Sequence, residues 1–346
     1  MARVDADIHN VVPSTEALFP YLSDHWRETV TQTLFKGTVD SSYPPRAPTS
    51  AREGARPSEG PPGSSLPLLR EQVLDPDGVE IGILACTYAI DALRNPDAAV
   101  AFASAVNDWQ IAEWLEKEPR LRASIVVPSQ LPQEAAREIE RVGDHPGFVQ
   151  VVIPARSHLP WGNRIHHPLF EAAARHDKAV AVHFGGAPGN PPTPSGWPSY
   201  YLEEYVDMAT VFASQLTSMV CEGVFDQFPT LRMVLLEAGF TWLPAHLWRF
   251  DKEWRNLRRL VPWVRRSPSA YIREHVRIAI QPLDAPPDPR QLVQVVEQLE
   301  CEEMLLYASD YPHRHAFDAE RDLLAHLPDA LADRIRGQNA RDFYRL

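Results

Sequence analysis

Short apolar runs alternate with longer amphipathic segments along most of this chain. After a strand-like opening at 2–9, runs rich in apolar and β-branched residues follow at 79–88, 122–128, 148–154, 178–186, 232–239, 276–284 and 304–313. Most of them lack strict alternation of apolar and polar residues, which is typical of strands buried on both faces of a parallel sheet. Between the runs, apolar residues recur at helical spacing, as at Leu243, Leu247, Phe250 and Trp254.

Eight strand patterns that alternate with helical patterns predict a (β/α)8 TIM barrel, with residues 1–346 as a single domain. An open, doubly wound parallel sheet is the alternative. No GxGxxG motif opens a helix after any of these runs, so the strongest sequence signal for the open sheet is missing. The pattern therefore favours the barrel.

A proline-rich segment at 41–67 interrupts the pattern after the first predicted strand. It has few apolar residues and many turn-forming ones, which indicates an irregular or mobile insertion. Loops that follow barrel strands emerge on the catalytic face, so this insertion could act as a lid. Arg46, Arg52 and Arg56 could then contact a substrate carboxylate. A solvated loop without such a role is the competing interpretation.

Composition and charge narrow the class of protein. The 346 residues carry a net charge of −12, which gives no basic surface for nucleic acid or an anionic membrane. Cys86, Cys221 and Cys301 are too few and too dispersed for a disulfide framework or a paired-thiol zinc site. Asp5 and Asp7 stand where a signal peptide would be apolar, and no long uncharged apolar stretch follows. We expect a cytoplasmic protein without a membrane span.

Polar residues at the ends of the predicted strands carry the candidate chemistry. Barrel active sites lie at the C-terminal ends of the strands, where this sequence has Asp7, His9, His183, Glu237 and Asp310. Residues two apart on a strand point to the same face, so Asp7 and His9 can reach one ion. Two imidazoles and two carboxylates from Asp7, His9, His183 and Asp310 suit Zn²⁺, with Mn²⁺ or Fe²⁺ as alternatives.

Each of these residues also has an ordinary structural interpretation. The Asp7–His9 pair could be a surface or capping pair, and His183 could be a hydrogen-bonded histidine of the core. Asp310 precedes Tyr-Pro and could be a turn residue. Their joint position favours the metal site, because burying several charges at one barrel mouth is costly unless a cation compensates them.

Six stretches carry a resemblance to a known family: VDADIHN, AVHFGG, GVFDQFPTLRMVLLEAGFTWLP, AIQPLD, LLYASDYPH and GQNARDFYRL. The chain resembles the amidohydrolase-related family of TIM-barrel metal-dependent hydrolases and decarboxylases, which includes the aminocarboxymuconate-semialdehyde decarboxylase group. The resemblance implies metal ligation by His9, His183 and Asp310, with Asp310 also acting as a proton shuttle. It further implies a homodimer, for which the Trp-rich segment 242–263 offers apolar surface, although core packing explains that segment equally well.

The sequence departs from the better-known decarboxylases of this family at two positions. Asp7 stands at the first position of the motif that is H-x-H or E-x-H in those members, and Glu237 stands where they have a catalytic histidine. A divalent ion with Asp7 and Asp310 is already charge-balanced, so we predict that Glu237 lies outside the ligand set. There it would assist catalysis by holding a water or a proton, or it would anchor a neighbouring side chain. A helix-capping role is its alternative. His313 is a second candidate proton donor, or a loop histidine without a role.

The predicted loops after the fourth and fifth strands offer candidate substrate contacts. Trp161, Arg164 and Trp197 there would suit a flat aromatic or unsaturated acid, although packing of the loops explains them equally well. We expect a metal-dependent hydrolase of a small organic molecule that uses a metal-activated water. A non-oxidative decarboxylase of an aromatic or unsaturated acid is the alternative. A catalytically silent barrel that acts as a binding protein is a third possibility.

Overall fold

The computed structural model describes residues 3–38 and 50–346. Its strands are β1 Arg3–Ile8, β2 Val79–Leu84, β3 Leu121–Val126, β4 Phe148–Pro154, β5 Ala179–His183, β6 Met233–Leu236, β7 Val276–Ala279 and β8 Leu305–Leu306. Each strand pairs in parallel with the next one in the sequence. Backbone bonds from Ala6 N to Tyr307 O (2.9 Å) and from His9 N to Tyr311 O (2.7 Å) join β8 to β1. The predicted (β/α)8 barrel is confirmed, and the open-sheet alternative is wrong.

Helices surround the barrel between successive strands. Those in the described residues are α1 Asp24–Gln32, α2 Leu66–Leu69, α3 Pro96–Gln110, α4 Pro132–Val142, α5 His167–Arg175, α6 Tyr201–Cys221, α7 Val224–Gln227, α8 Leu243–Leu257, α9 Pro268–His275, α10 Pro289–Gln298, α11 Ala319–Asp322, α12 Asp329–Asp333 and α13 Asn339–Tyr344. Sequence sets their starts: Asn95 accepts hydrogen bonds from two backbone amides of α3, and Pro96 follows at the first helical position. Among the described residues, no helix combines the length and apolar composition needed to span a bilayer.

Apolar side chains, many of them alanines, fill the inside of the barrel. Helix α13 closes the end at which the strands begin, which we call the lower end. Ala181, Ala279 and Ala308 belong to the inner cluster, together with Phe343 and Tyr344 of α13. Because the lower end is packed, the barrel can open to solvent only at the opposite end. We call this the upper end, and the strands finish there in polar residues.

The described part of the proline-rich insertion lies against that upper end. Arg52 N donates to Pro312 O at 2.8 Å, and Ala51 forms an isolated antiparallel bridge with His313. The segment predicted as irregular ends in a helix. Ser65 is the N-cap of α2, and its side chain accepts a hydrogen bond from Leu68 N in the first turn. Arg46 lies outside the described residues.

Candidate active site

Four strands bring the predicted site residues to one place. Asp7 and His9 lie at the end of β1, His183 ends β5, Glu237 follows β6 and Asp310 follows β8. Parallel pairing sets His183 opposite Leu236, the residue before Glu237, and Asp310 N donates to Asp7 O at 3.0 Å. Asp7, His9, His183 and Asp310 are at most 5% exposed.

The backbone turns sharply where β6 and β8 end. Glu237 and Asp310 have φ values of 56° and 52°, in the left-handed region that residues other than glycine rarely adopt. Strain of this kind concentrates at functional sites, where it aims a side chain in a direction that a regular strand would not allow. Here it directs two carboxylates into the barrel mouth.

The carboxylate of Glu237 lies between two imidazoles. Its Oε1 is 3.2 Å from His9 Nε2 and 3.4 Å from His183 Nε2. Asp7, His9, His183 and Glu237 each present a possible ligand atom, and these atoms lie within 4.8 Å of one another. Asp310 belongs to a second, overlapping group with His9, Glu237 and His313. Both groups contain His9 and Glu237. Glu237 therefore lies among the possible ligand atoms, whereas we predicted it outside the ligand set.

Several buried atoms of this cluster have no hydrogen-bond partner in residues 3–38 and 50–346. They include both carboxylate oxygens of Asp7, Oε1 of Glu237 and Nε2 of His183. His183 Nδ1 donates to the Phe184 carbonyl at 2.8 Å, which leaves the Nε2 lone pair directed into the cluster. Unpartnered buried charges are costly. The donor set of imidazole nitrogens and carboxylate oxygens fits a divalent transition-metal ion.

Two histidines of the loop after β8 hold Asp310. Its Oδ1 is 2.9 Å from both His9 Nε2 and His313 Nδ1, and its Oδ2 is 3.0 Å from His315 Nε2. From the sequence, His315 is a weaker candidate for facing the pocket than His313. The spacing His-x-His after Asp-Tyr-Pro was the available signal, because it allows both rings to fold back onto one carboxylate.

Burial and close packing of charges shift the pKa values in the cluster. Burial raises the pKa of Asp7 to about 7, although His9 and His183 oppose it. Burial would also raise the pKa of Glu237, but His183 and His9 lower it to about 2. At His313, burial lowers the pKa, and Asp310 and Glu237 outweigh it, so the net shift is upward. A divalent cation would compete with the protons on these imidazoles.

A cavity of about 600 Å³ opens beside the cluster. Its two walls differ in chemistry. The ends of β1, β5, β6 and β8 supply the polar wall just described. The other wall is mostly apolar, and its residues are Ile90, Val126, Val127, Val152, Ile153, Pro154, Phe184, Tyr201 and Tyr205. This arrangement suits a flat apolar ring that carries a polar group at one edge.

The three predicted substrate contacts do not line this cavity, and we correct them. Trp161 is 1% exposed, and its Nε1 donates to Pro154 O at 2.8 Å, so it packs beneath the loop. Arg164 lies 3.6 Å from Glu222 on the surface, and Trp197 is 69% exposed. From this part of the chain, Phe184, Gly185 and Gly186 of the loop after β5 line the cavity, together with Tyr201, Glu204 and Tyr205 of the first turns of α6.

Of the insertion, only residues 50–67 belong to the described part of the chain, and few of them reach this cavity. Ser50 lines it, whereas Arg52 lines a neighbouring cavity of about 250 Å³. The Arg52 guanidinium lies 5.7 Å from the ring centroid of Tyr311. Arg56 lines neither cavity. The prediction that Arg46 contacts substrate falls outside the described residues.

Comparisons with protein families and with known proteins show what this chain resembles. A family model described as Amidohydrolase matches residues 4–346. The gamma-resorcylate decarboxylase of Polaromonas sp. (strain JS666) is 30% identical over 212 residues, 58% of this chain and 61% of that protein. The chain thus matches about 61% of the length of this curated relative.

Two solved structures share the fold over nearly the whole chain. The 5-carboxyvanillate decarboxylase from Sphingomonas paucimobilis has a TM-score of 0.72 at 22% identity, covering 100% of this chain and 99% of its own. A 5-carboxyvanillate decarboxylase from Novosphingobium aromaticivorans, with bound manganese and 3-methoxy-4-hydroxy-5-nitrobenzoic acid, has a TM-score of 0.73 at 20% identity, covering 100% and 97%. At these identities the likeness establishes the fold.

Proposed function

The chain belongs to the amidohydrolase family, and from this premise we propose that it is a metal-dependent decarboxylase of an aromatic carboxylic acid. The observation that carries the proposal is the similarity to gamma-resorcylate decarboxylases. It favours the decarboxylase, which we had ranked second, over the hydrolase that we expected first. The buried His and carboxylate cluster beside a mostly apolar cavity supports the same choice.

The proposed metal ligands are Asp7, His9, His183 and Asp310, with Glu237 as an additional one. Manganese is bound in a structural relative, so we propose Mn²⁺ rather than the zinc that we expected. Three carboxylates around a divalent ion leave one excess negative charge, which a protonated His313 would balance. A bound divalent ion would polarise a substrate oxygen and stabilise the negative charge that develops during the reaction.

The chain's own residues supply the remaining steps. Decarboxylation breaks the bond between the ring carbon and the carboxylate, releases carbon dioxide and leaves an electron pair on the ring carbon. We propose that His313, which lines the cavity, donates the proton that this carbon takes up and is later reprotonated by water. Asp310 orients the His313 ring through the 2.9 Å contact with Nδ1. The apolar wall keeps the ring in place and limits water.

Carbon dioxide release tests the proposal. Purified protein loaded with Mn²⁺ would be incubated with 2,6-dihydroxybenzoate, 5-carboxyvanillate and related aromatic acids, and carbon dioxide and the decarboxylated ring product would be measured. We expect both products in equal amounts from at least one acid, and their loss in Asp310→Asn. Absence of carbon dioxide from every aromatic acid would contradict the proposal.

Hydrolysis is the second candidate, and one observation favours it. Glu237 provides a buried carboxylate where the decarboxylases that this chain resembles have a histidine, and a carboxylate there could accept a proton from an attacking water. The same protein would be offered aromatic esters, lactones and amides. Cleavage of these compounds without any carbon dioxide release would support the hydrolase instead. Lack of metal binding and of both activities would support the silent binding protein.

A small-molecule substrate and a homodimer complete the proposal. Apolar side chains on and after α8 support the dimer, because Trp248 is 55% exposed and Leu260 is 72% exposed. Sedimentation of the wild type and of Trp248→Glu tests it. We expect a dimer for the wild type and a shift toward monomer for the variant, whereas a monomeric wild type would contradict it.

A further inference from the structure

The cavity is larger than a reacting aromatic acid requires. Its volume is about 600 Å³, whereas a cavity of about 150 Å³ is enough to bind benzene. The proposed metal ligands occupy only one wall. A ring whose carboxylate faces that wall therefore leaves part of the cavity empty. A second group on the ring could occupy this remaining space.

Arg314 is exposed and lines this cavity, and it also lines the neighbouring cavity of about 250 Å³. Within residues 3–38 and 50–346 it is the only lysine or arginine that lines the cavity. It also has no hydrogen-bond or ion-pair partner in the same part of the chain. Arg156 shows the contrast, because it already pairs with Glu204 at 2.8 Å. An unpaired guanidinium beside a cavity is well suited to bind a carboxylate in a bidentate manner.

The backbone on both sides of Arg314 is held in place. The neighbouring rings of His313 and His315 contact the two oxygens of Asp310 at 2.9 Å and 3.0 Å. His313 also forms a bridge with Ala51 of the insertion. The backbone from which the Arg314 side chain extends therefore has a defined position relative to the cluster.

Carboxylates of the protein do not occupy this position. Two acidic residues line the cavity outside the cluster, among the residues that the structure describes, and both have partners. Asp91 Oδ2 accepts a hydrogen bond from Ala187 N at 2.7 Å, and Glu204 pairs with Arg156. The positive charge of Arg314 is consequently available to a ligand.

We propose that Arg314 binds a second acidic group of the substrate, so that the site takes aromatic acids with two anionic groups. One group faces the cluster, and the other forms a charge-assisted contact with the guanidinium. The identity of the reacting group rests on the proposed decarboxylase function. Recognition of the second group depends only on Arg314 and can be measured without turnover.

Calorimetric titration of the full-length, Mn²⁺-loaded protein tests this proposal. The probes are benzoate and the 1,3- and 1,4-isomers of benzenedicarboxylate. We expect at least one dicarboxylate to bind about tenfold more tightly than benzoate, because charge-assisted hydrogen bonds are stronger than neutral ones. The preference should weaken at high salt, since Arg314 is exposed.

Variants identify the residue responsible. Arg314→Gln should remove the preference for the dicarboxylate and leave benzoate binding unchanged, whereas Arg314→Lys should keep part of it as a point charge. Arg290→Gln is the matched control. Arg290 lies in the first turn of α10, which follows β7 and so begins at the same end of the barrel, and its side chain is 88% exposed and pairs with Asp288. This control should behave as the wild type.

Each outcome decides between the alternatives. Equal affinity for mono- and dicarboxylates, a preference that survives Arg314→Gln, or no binding of any probe would overturn the role of Arg314. A preference that depends on Arg314, without carbon dioxide release from any acid, would keep this subsite and remove the decarboxylase. Carbon dioxide release with no effect of Arg314→Gln would keep the decarboxylase and remove this subsite.

Discussion

A hydrogen-bond chain at the lower end of the barrel and the Asp7 carboxylate at the upper end differ in how their buried polar atoms are paired. At the lower end, Tyr344 donates to Gln150 Oε1 at 2.8 Å, Gln150 Nε2 donates to Ser124 Oγ at 2.8 Å, and Ser124 donates to Leu84 O at 2.7 Å. At the upper end, both carboxylate oxygens of Asp7 are buried and lack a hydrogen-bond partner within the described residues. Buried polar groups that are paired by hydrogen bonds stabilise the fold. Buried oxygens without a hydrogen-bond partner are instead available to bind a metal ion.

The largest expected effect comes from removing a ligand at the upper end. Asp7→Asn should reduce activity at least about a thousandfold and lower the bound metal well below one ion per chain, because it removes a charged donor from the cluster. Metal content by elemental analysis and carbon dioxide release measure the two effects. His176, which pairs with Glu140 on the surface, offers a control variant, His176→Gln. Full metal content and activity in Asp7→Asn would contradict the ligand assignment.

A smaller loss is expected when the proposed proton donor is changed but the ligands stay. His313→Gln should lower kcat about a hundredfold, since general acid catalysis contributes about that much, with KM and metal content near the wild type. Steady-state kinetics and elemental analysis measure this split. An unchanged kcat would remove His313 from the mechanism, and a loss of metal would make it a ligand instead.

The unpartnered carboxylate should also appear in the stability of the metal-free protein. Burial raises the pKa of Asp7 from 3.8 to about 7, so the folded protein binds this proton more tightly than the unfolded chain. Its contribution to stability is present below pH about 4 and is lost as the pH rises through about 7. Denaturant unfolding of chelator-treated protein should therefore show Asp7→Asn gaining stability relative to the wild type over this range. Parallel pH curves for the two proteins would argue against a costly Asp7 carboxylate.

The smallest expected effect lies at the lower end. Tyr344→Phe removes the hydrogen bond to Gln150 and leaves a buried acceptor unpaired, so the free energy of unfolding should fall by about 1–3 kcal/mol. The kcat and metal content should not change, because the variant touches no residue of the cluster. Thermal unfolding and kinetics together test the separation of the two ends. A large drop in kcat at full metal content would show that they are coupled.

Much of the fold could be predicted from the sequence, because the relevant signals are local. Apolar runs without alternation mark strands that are buried on both faces, and all eight predicted strands are confirmed. The same patterns located Asp7, His9, His183 and Asp310 at strand ends, and the barrel architecture then brings strand ends together. The family resemblance is also confirmed.

Only the tertiary structure decided how the side chains at the mouth are arranged. Glu237 lies between His9 and His183 because its backbone turns into the left-handed region after β6, which no periodicity in the sequence reveals. Trp161 is buried and Arg314 faces the cavity because loops fold according to contacts distant in the chain. The sequence by itself determined which strands form, since hydrophobic period is a property of neighbouring residues. It did not fix where they end, because the run predicted at 304–313 contains only the two residues of β8, Leu305 and Leu306. Which atoms meet across the mouth depends on distances between residues far apart in the chain, such as His9 and Asp310, which are separated by 301 positions, and only the closed barrel sets those distances.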